Sequence, residues 1–308
     1  MATTEHHKNL KVVCFNMHGF HQGCPTIEDI ITDQKPNIII LQEHWLTPTN
    51  LHNFDDHFPD YFAFRCSAMS RCLELGMLRG RPFGGIITLV NNDLRRVTET
   101  IYCEERFNVI RVGNYLFVNV YFPCIGTNDR ELICENMLHA ISAWHERFID
   151  CELVIAGDFN VSLDRSCDPV AKSLSYFMHG NGLIRCDDLF PNQKLATYVN
   201  EALRQTSQID FVLTSKNVDV ASFCVSDPDI NFSDRLPLLA TICVSLQPHK
   251  NDPVATDKAN KQYHVKSLRW NKADLPGYYY FTGTILNPIL TRVNKLWSKF
   301  DLTTVTVM

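Results

Sequence analysis

No stretch of this 308-residue chain is apolar for long enough to cross a bilayer as a helix. The longest apolar runs, Asn37 to Gln42 and Tyr115 to Phe122, fall far short of the roughly 20 residues a span requires. The first residues, Met1 to Lys11, are polar and His-rich and lack the apolar core of a secretory signal, so an intracellular location is the expectation. Twelve cysteines are present but none forms a Cys-x-x-Cys pair, which argues for reduced thiols, many of them in the core, and against a disulfide framework. Positive charge is not in surplus either. The formal net charge of -5 excludes a broad basic field, so nucleic-acid binding, if any, must be argued from a site. Neither an internal repeat nor a long low-complexity tract interrupts the sequence.

With 45% hydrophobic and 20% charged residues, the chain can bury a substantial core, and one large domain plus an appendage is expected. Leu10 to Phe15, Asn37 to Leu41, Gly85 to Val90, Tyr115 to Tyr121, Glu152 to Ala156, Gln208 to Leu213 and Leu238 to Val244 have the β-branched and aliphatic character of buried strands; Cys14, Cys151 and Cys243 fall in these runs. Helix starts are signalled by Thr26 with Asp29 three residues on, by Thr47 before Pro48, and by Asp168 before Pro169. The longest helix is predicted from about Asp129 to Phe148, with Leu132, Met137, Ile141, Trp144 and Phe148 near one face. This order suits an α/β layered sandwich, two mixed β-sheets packed face to face and flanked by helices, better than strict βαβ alternation.

After Leu246 the composition turns polar. Residues 1–248 are read as the main domain, 249–261 as a linker and 262–308 as a C-terminal extension. The extension carries the aromatic run Tyr278-Tyr279-Tyr280-Phe281, read as packing rather than a base-stacking platform, and a candidate amphipathic helix from about Pro288 to Phe300.

Polar residues stand at the ends of the apolar runs, where a sheet edge would hold them in a shared cleft. Asn16 ends the first run, Gln42-Glu43 the second, and Tyr121 closes Phe117 to Tyr121. Gly157-Asp158-Phe159-Asn160 follows Leu153 to Ala156, Asp210 sits in Gln208-Ile209-Asp210-Phe211, and Ser233-Asp234-Arg235-Leu236-Pro237 precedes the last strand. Each alone has an ordinary reading, since Asp and Asn satisfy turn backbone. Six in one order are hard to explain as turns.

This ordered set resembles the endonuclease/exonuclease/phosphatase superfamily over residues 10 to 245. Asn16-Met17-His18-Gly19-Phe20, Leu41-Gln42-Glu43-His44-Trp45-Leu46 and Arg79-Gly80-Arg81-Pro82-Phe83-Gly84-Gly85 are similar to endonuclease domains of non-LTR retrotransposons. Leu268 to Leu275 resembles the stretch before their reverse transcriptase. The resemblance implies a DNase I-like fold and a metal-dependent phosphodiesterase that nicks DNA, with Mg2+ as cofactor, Mn2+ as an alternative, and DNA as partner. The nucleus is then a candidate compartment. Other readings of the same fold are action on RNA, a phosphorylated lipid or an inositol phosphate, or a catalytically inactive nucleic-acid-binding remnant.

In that scheme Glu43 is the direct metal ligand, with Asn16 or Asp234 near the metal or its waters, because magnesium takes few carboxylates and keeps several waters. Asp158 would orient or deprotonate the attacking water, while Asn160 and Tyr121 would donate to phosphate oxygens. The family's closing motif is Ser-Asp-His, its histidine pairing with the aspartate that matches Asp210; here Arg235 stands in its place. An arginine stays charged and cannot exchange a proton near neutral pH. Arg235 is expected to pair with Asp210 or Asp234, and an impaired enzyme, through decay of a genomic copy or retention of only weak hydrolysis or DNA binding, is expected. His18, where the repair enzymes commonly carry an acidic residue, argues against abasic-site repair. His18, His21 and Cys24 are spaced three apart but have no clear fourth zinc ligand. Arg79 and Arg81, with Arg71, are candidate contacts to DNA phosphates.

Overall fold

The computed structural model describes residues 7–70, 81–164, 167–191, 196–200 and 204–246, together with Thr284. Arg71, Arg79, the linker and the extension with its aromatic run and predicted helix lie outside these residues, Thr284 excepted. The chain divides into two units, Met1–Pro253 and Val254–Met308, and every element below belongs to the first.

One six-stranded sheet is built from β1 (His7–Asn16), β2 (Ile38–Gln42), β3 (Tyr61–Cys66), β4 (Ile86–Asn91), β13 (Asp219–Val225) and β14 (Leu238–Ser245), in the order β13-β14-β1-β2-β4-β3. The other holds β5 (Thr98–Cys103), β6 (Phe107–Val112), β7 (Tyr115–Tyr121), β8 (Glu152–Asp158), β9 (Leu183–Arg185) and β12 (Asp210–Ser215), in the order β5-β6-β7-β8-β12-β9. Both sheets are mixed: β1–β2 and β7–β8 run parallel, their neighbours antiparallel. A short hairpin, β10 (Tyr198–Asn200) with β11 (Gln205–Ser207), stands apart.

Period-two alternation explains why the strands read as unbroken apolar runs. Leu10, Val12 and Cys14 of β1 face the other sheet and meet Phe117, Val154, Ala156 and Val212, whereas Val13 and Phe15 face outward. The outward face of the first sheet is covered by α1 (Phe20–Gln34) through Ile27 and Ile30, and by Phe54 of α2 (Asn53–His57). The outer face of the second sheet packs Leu116, Val118, Leu153 and Ile155 under α3 (Arg130–Arg147) and α4 (Pro169–Gly180). At Gly157 the paired strand runs close, so an added Cβ would lie 1.9 Å from the Val120 carbonyl oxygen.

The seven expected strands, the long helix and the start of α4 all form; Asp168 caps α4 by accepting from the Val170 N–H at 2.9 Å. Thr47 precedes a single 3-10 turn, Pro48–Asn50. Three details differ. The first helix begins at Phe20 rather than near Thr26, and Thr26 is buried inside it, donating to the Ile230 carbonyl at 2.9 Å. Leu132 is exposed, because the buried stripe of α3 is Cys134, Met137, Leu138 and Ile141, and a residue two before Cys134 lies on the far side of the helix. Cys151 lies just ahead of β8, half-buried.

Candidate active site

Strand register assembles the site. Asn16 pairs with Gln42 across parallel β1 and β2, so Asn16 and Glu43 leave the first sheet side by side. In the second sheet Tyr121 pairs with Asp158 and Asp158 with Asp210, placing all three in one row across β7, β8 and β12. The Asn16 amide joins the two sheets: its Nδ2 donates to Glu43 Oε1 and to Asp158 Oδ2, both at 2.9 Å, while its Oδ1 accepts from the His18 N–H at 3.0 Å. The partners dictate the amide's orientation, since carboxylates can only accept here and a backbone N–H can only donate. Asn16 therefore offers donors to the site, and its oxygen, the atom a cation would use, is already engaged.

The segment Ser233 to Leu236 crosses this row, anchored by the Ser233 hydroxyl on the Asn16 carbonyl at 2.8 Å and by a bridge between Arg235 and Tyr198. It carries the Arg235 guanidinium in among three carboxylates. Nη2 donates to Asp158 Oδ2 at 3.1 Å, Nη1 donates to Asp234 Oδ1 at 3.1 Å, and Nε faces Asp210 Oδ2 at 3.5 Å. Tyr198 lies beneath it, the ring centroid 4.6 Å from Cζ. The Nε contact is an ion pair without a hydrogen bond, and Nε has no acceptor. Asp210 instead accepts from the Thr197 hydroxyl at 2.7 Å. The expected pairing with Asp210 and Asp234 is present, and Asp158 is a third partner at the same 3.1 Å as Asp234.

Asp158 is fully buried and has no free oxygen: Oδ1 accepts from the Asn160 N–H at 2.9 Å, Oδ2 from Asn16 and Arg235. Burial raises its pKa, opposed by the Arg235 charge. Burial and the neighbouring Asp158 charge raise Asp210 well above the carboxylate range, again opposed by Arg235. Burial alone would depress Arg235, but the three carboxylates outweigh it and push its pKa up, so it is charged at any usable pH. Burial, then the charges of Glu43 and Asp158, raise Tyr121 and keep it a phenol that can donate.

Asn160 adopts a left-handed backbone, φ 48°, and places its Nδ2 on the Phe122 carbonyl at 2.8 Å, so it braces Asp158 and has one amide hydrogen left. Glu43 and Trp45 are left-handed as well, with φ 55° and 53°. His44 between them is buried; its Nδ1 accepts from the Leu46 N–H and its Nε2 lies 3.0 Å from the Cys66 carbonyl, with burial lowering its pKa to about 4, so the neutral ring donates through Nε2. Such backbone in non-glycine residues clusters at functional sites.

A cleft of about 370 Å³ opens beside this centre, lined among others by Glu43, Tyr121, Arg81, Phe83 and Arg106. Arg81 lies over the Trp45 ring at 4.2 Å and Arg106 near Tyr121 at 5.7 Å. Arg106, Thr197 and Tyr198 were not singled out from the sequence; Trp45 stood there only as part of the motif Leu41 to Leu46, without a role. Among the described residues no group of three or more His, Cys, Asp or Glu gathers as a metal site, which leaves His18, His21 and Cys24 without zinc geometry.

Two layered sheets carry amide, carboxylate and phenol groups at shared strand ends. The chain belongs to the endonuclease/exonuclease/phosphatase family, whose pattern matches residues 13–234. Comparison with curated proteins returns no match. Among solved structures, the fold is similar to the 3′ phosphatase NExo from Neisseria bound to product DNA hairpin, at 15% identity over 75% of this chain and 98% of that one, TM-score 0.57. It is likewise similar to the AP endonuclease LMAP from Leishmania major, at 14% identity over 77% and 88% of the two chains, TM-score 0.60. An AP endonuclease from Archaeoglobus fulgidus matches at 15% identity over 76% and 100%, TM-score 0.59. These neighbours carry the DNase I-like fold.

The carboxylate cluster makes Arg235 a structural keystone. Arg235→Leu should destabilise the protein by about 3–5 kcal/mol at pH 7.5, because buried charges lose their partner. The freed carboxylates, with native pKa values raised further, bind more protons folded than unfolded above about pH 4, so the variant's stability should rise as pH falls toward that range. Urea unfolding at pH 7.5 and pH 5 reads both effects; parent-like stability at pH 7.5 would contradict the cluster's role.

Proposed function

We propose that the chain is a metal-dependent, DNA-nicking phosphodiesterase of retrotransposon type whose turnover Arg235 holds far below that of a histidine-bearing centre. The observation that carries this reading is the Arg235 guanidinium on Asp158 Oδ2 at 3.1 Å, with Asp158 fully buried. Water activation needs an acceptor. Asp158 has both oxygens bonded, Asp210 is buried against Thr197, and Arg235 cannot take a proton.

The rest of the machinery suits a phosphodiester. No described cation pairs with Glu43, whose half-buried carboxylate is held by neutral donors, and Asp234 stays partly exposed. One or two carboxylates completed by waters fit Mg2+ or Mn2+ and not zinc. When bound, such an ion supplies positive charge to the phosphate and the leaving oxygen. Tyr121, held protonated, would donate to a phosphoryl oxygen, and the remaining Asn160 amide hydrogen would do the same. Asn16 keeps Glu43 and Asp158 at fixed spacing. Arg81 and Arg106 in the cleft are candidate contacts to a DNA strand's phosphates, and NExo, a fold neighbour, was solved with product DNA hairpin.

The retrotransposon origin rests on Asn16 to Phe20, Leu41 to Leu46, Arg79 to Gly85 and Leu268 to Leu275. On this reading residues 1–248 are the catalytic domain, 249–261 a linker and 262–308 the stretch before a reverse transcriptase; the site of action is the nucleus. Arg79 would join Arg81 at the phosphates.

Nicking of supercoiled plasmid with Mg2+ tests the reading. Arg235→His should nick about 10²-fold or more faster than the parent. Adding Glu43→Ala should abolish the gain; equal rates for parent and Arg235→His would sink the proposal. Arg81→Ala should weaken duplex binding and reduce the slope of log K against log[salt] by about one. An unchanged slope removes Arg81 from the DNA contact.

A further inference from the structure

The side chain of Glu43 is held from both sides. Asn16 Nδ2 donates to Oε1 at 2.9 Å, and the indole Nε1–H of Trp45 donates to Oε2 at 3.1 Å. Neighbouring residues two apart on a strand would point the same way without turning toward each other. Here the left-handed backbone at both Glu43 and Trp45 bends the segment so that the indole edge reaches the carboxylate. The bend is fastened by the Glu43 N–H on the Gly85 carbonyl at 2.8 Å, the Trp45 N–H on the Gly84 carbonyl at 3.0 Å, and the buried His44 ring.

The indole is clamped as well. The His18 ring centre lies 4.7 Å from it and the Arg81 guanidinium 4.2 Å. Gly19 makes the seat possible, since a Cβ there would lie 2.7 Å from the indole ring. Packing alone would be served by any large ring; a clamped ring with its single N–H aimed at Glu43, a carboxylate that no described cation pairs with, serves orientation. We propose that Trp45 is a positioning residue for Glu43, its indole N–H fixing which carboxylate lone pairs remain open to a divalent cation. This rests on the reading of Glu43 as a metal ligand. Partners that orient a ligand from behind typically govern metal affinity by about 10–100-fold.

The test measures Mn2+ binding to the full chain by calorimetry, for the parent, Trp45→Phe and Glu43→Gln, alongside the thermal midpoint of each. Trp45→Phe keeps the ring between His18 and Arg81 and removes only the donor, so it should bind Mn2+ about tenfold or more weakly with a parent-like midpoint. In parent protein labelled with 15N-tryptophan, one indole N–H resonance should broaden strongly at substoichiometric Mn2+, and that resonance should be the one missing from Trp45→Phe. If Trp45→Phe binds Mn2+ like the parent while Glu43→Gln loses binding, the Trp45 proposal falls and Glu43 remains the ligand. Should Glu43→Gln bind normally, both fall. Failure of any indole resonance to broaden in the parent overturns the proposal even if Trp45→Phe does not fold.

Discussion

The pairing of the Arg235 guanidinium with Asp158, Asp210 and Asp234 is the interaction on which the centre depends. Burial is the main force raising the pKa of Asp158 and of Asp210, the Asp158 charge adds to it at Asp210, and the Arg235 charge opposes it at both. A permanent cation among them lets the segment Ser233 to Leu236 close over the strand ends. On the proposed reading, the same charge that stabilises the arrangement removes its proton traffic. Its Nε, left without an acceptor beside Asp210, marks the imperfect fit of a forked guanidinium there. On the proposed reading, stability and turnover are set against each other at one residue.

Beneath that centre the two sheets are joined by amides rather than by apolar contact alone. Gln42 Nε2 donates to Asn119 Oδ1 at 2.8 Å, and Asn119 Nδ2 donates to the Leu41 and Ile87 carbonyls at 3.0 Å. Thr88 and Asn108 continue the chain of bonds at 2.9 Å. A buried network in which each donor has its acceptor resists sliding of one sheet over the other. Asn16 adds a separate link between the sheets at the strand ends, holding Glu43 and Asp158 at fixed spacing.

Much of this was legible in the sequence because the central strands are buried on both faces and so are apolar throughout. Val12 to Phe15 and Ile38 to Leu41 announce themselves, and the polar residue ending each run marks a strand end. The edge strands and the near-edge strand β6 did not. Thr98–Cys103 carries Glu99 toward solvent, and Phe107–Val112 conceals its strand character behind Asn108 and Arg111, whose roles are the cross-sheet bond and an ion pair with Glu99. The start of α1 was misplaced because Thr26 has a capping side chain, yet tertiary packing buries it against Ile230 and extends the helix to Phe20. The membership of the site was readable, but not its wiring. Nothing in Ser233-Asp234-Arg235 says that the arginine reaches Asp158, which depends on the β8–β12 register and on Tyr198 beneath the guanidinium.

The most direct measurement is the pH dependence of plasmid nicking by Arg235→His and by the parent, at fixed Mg2+. A histidine beside Asp210 should introduce a rise in rate as its ring deprotonates, around the imidazole range of about 6.5. The parent should stay near its floor with no such inflection. A parent that nicks as fast as Arg235→His across the range, with the same profile, would contradict the claim that Arg235 silences the centre.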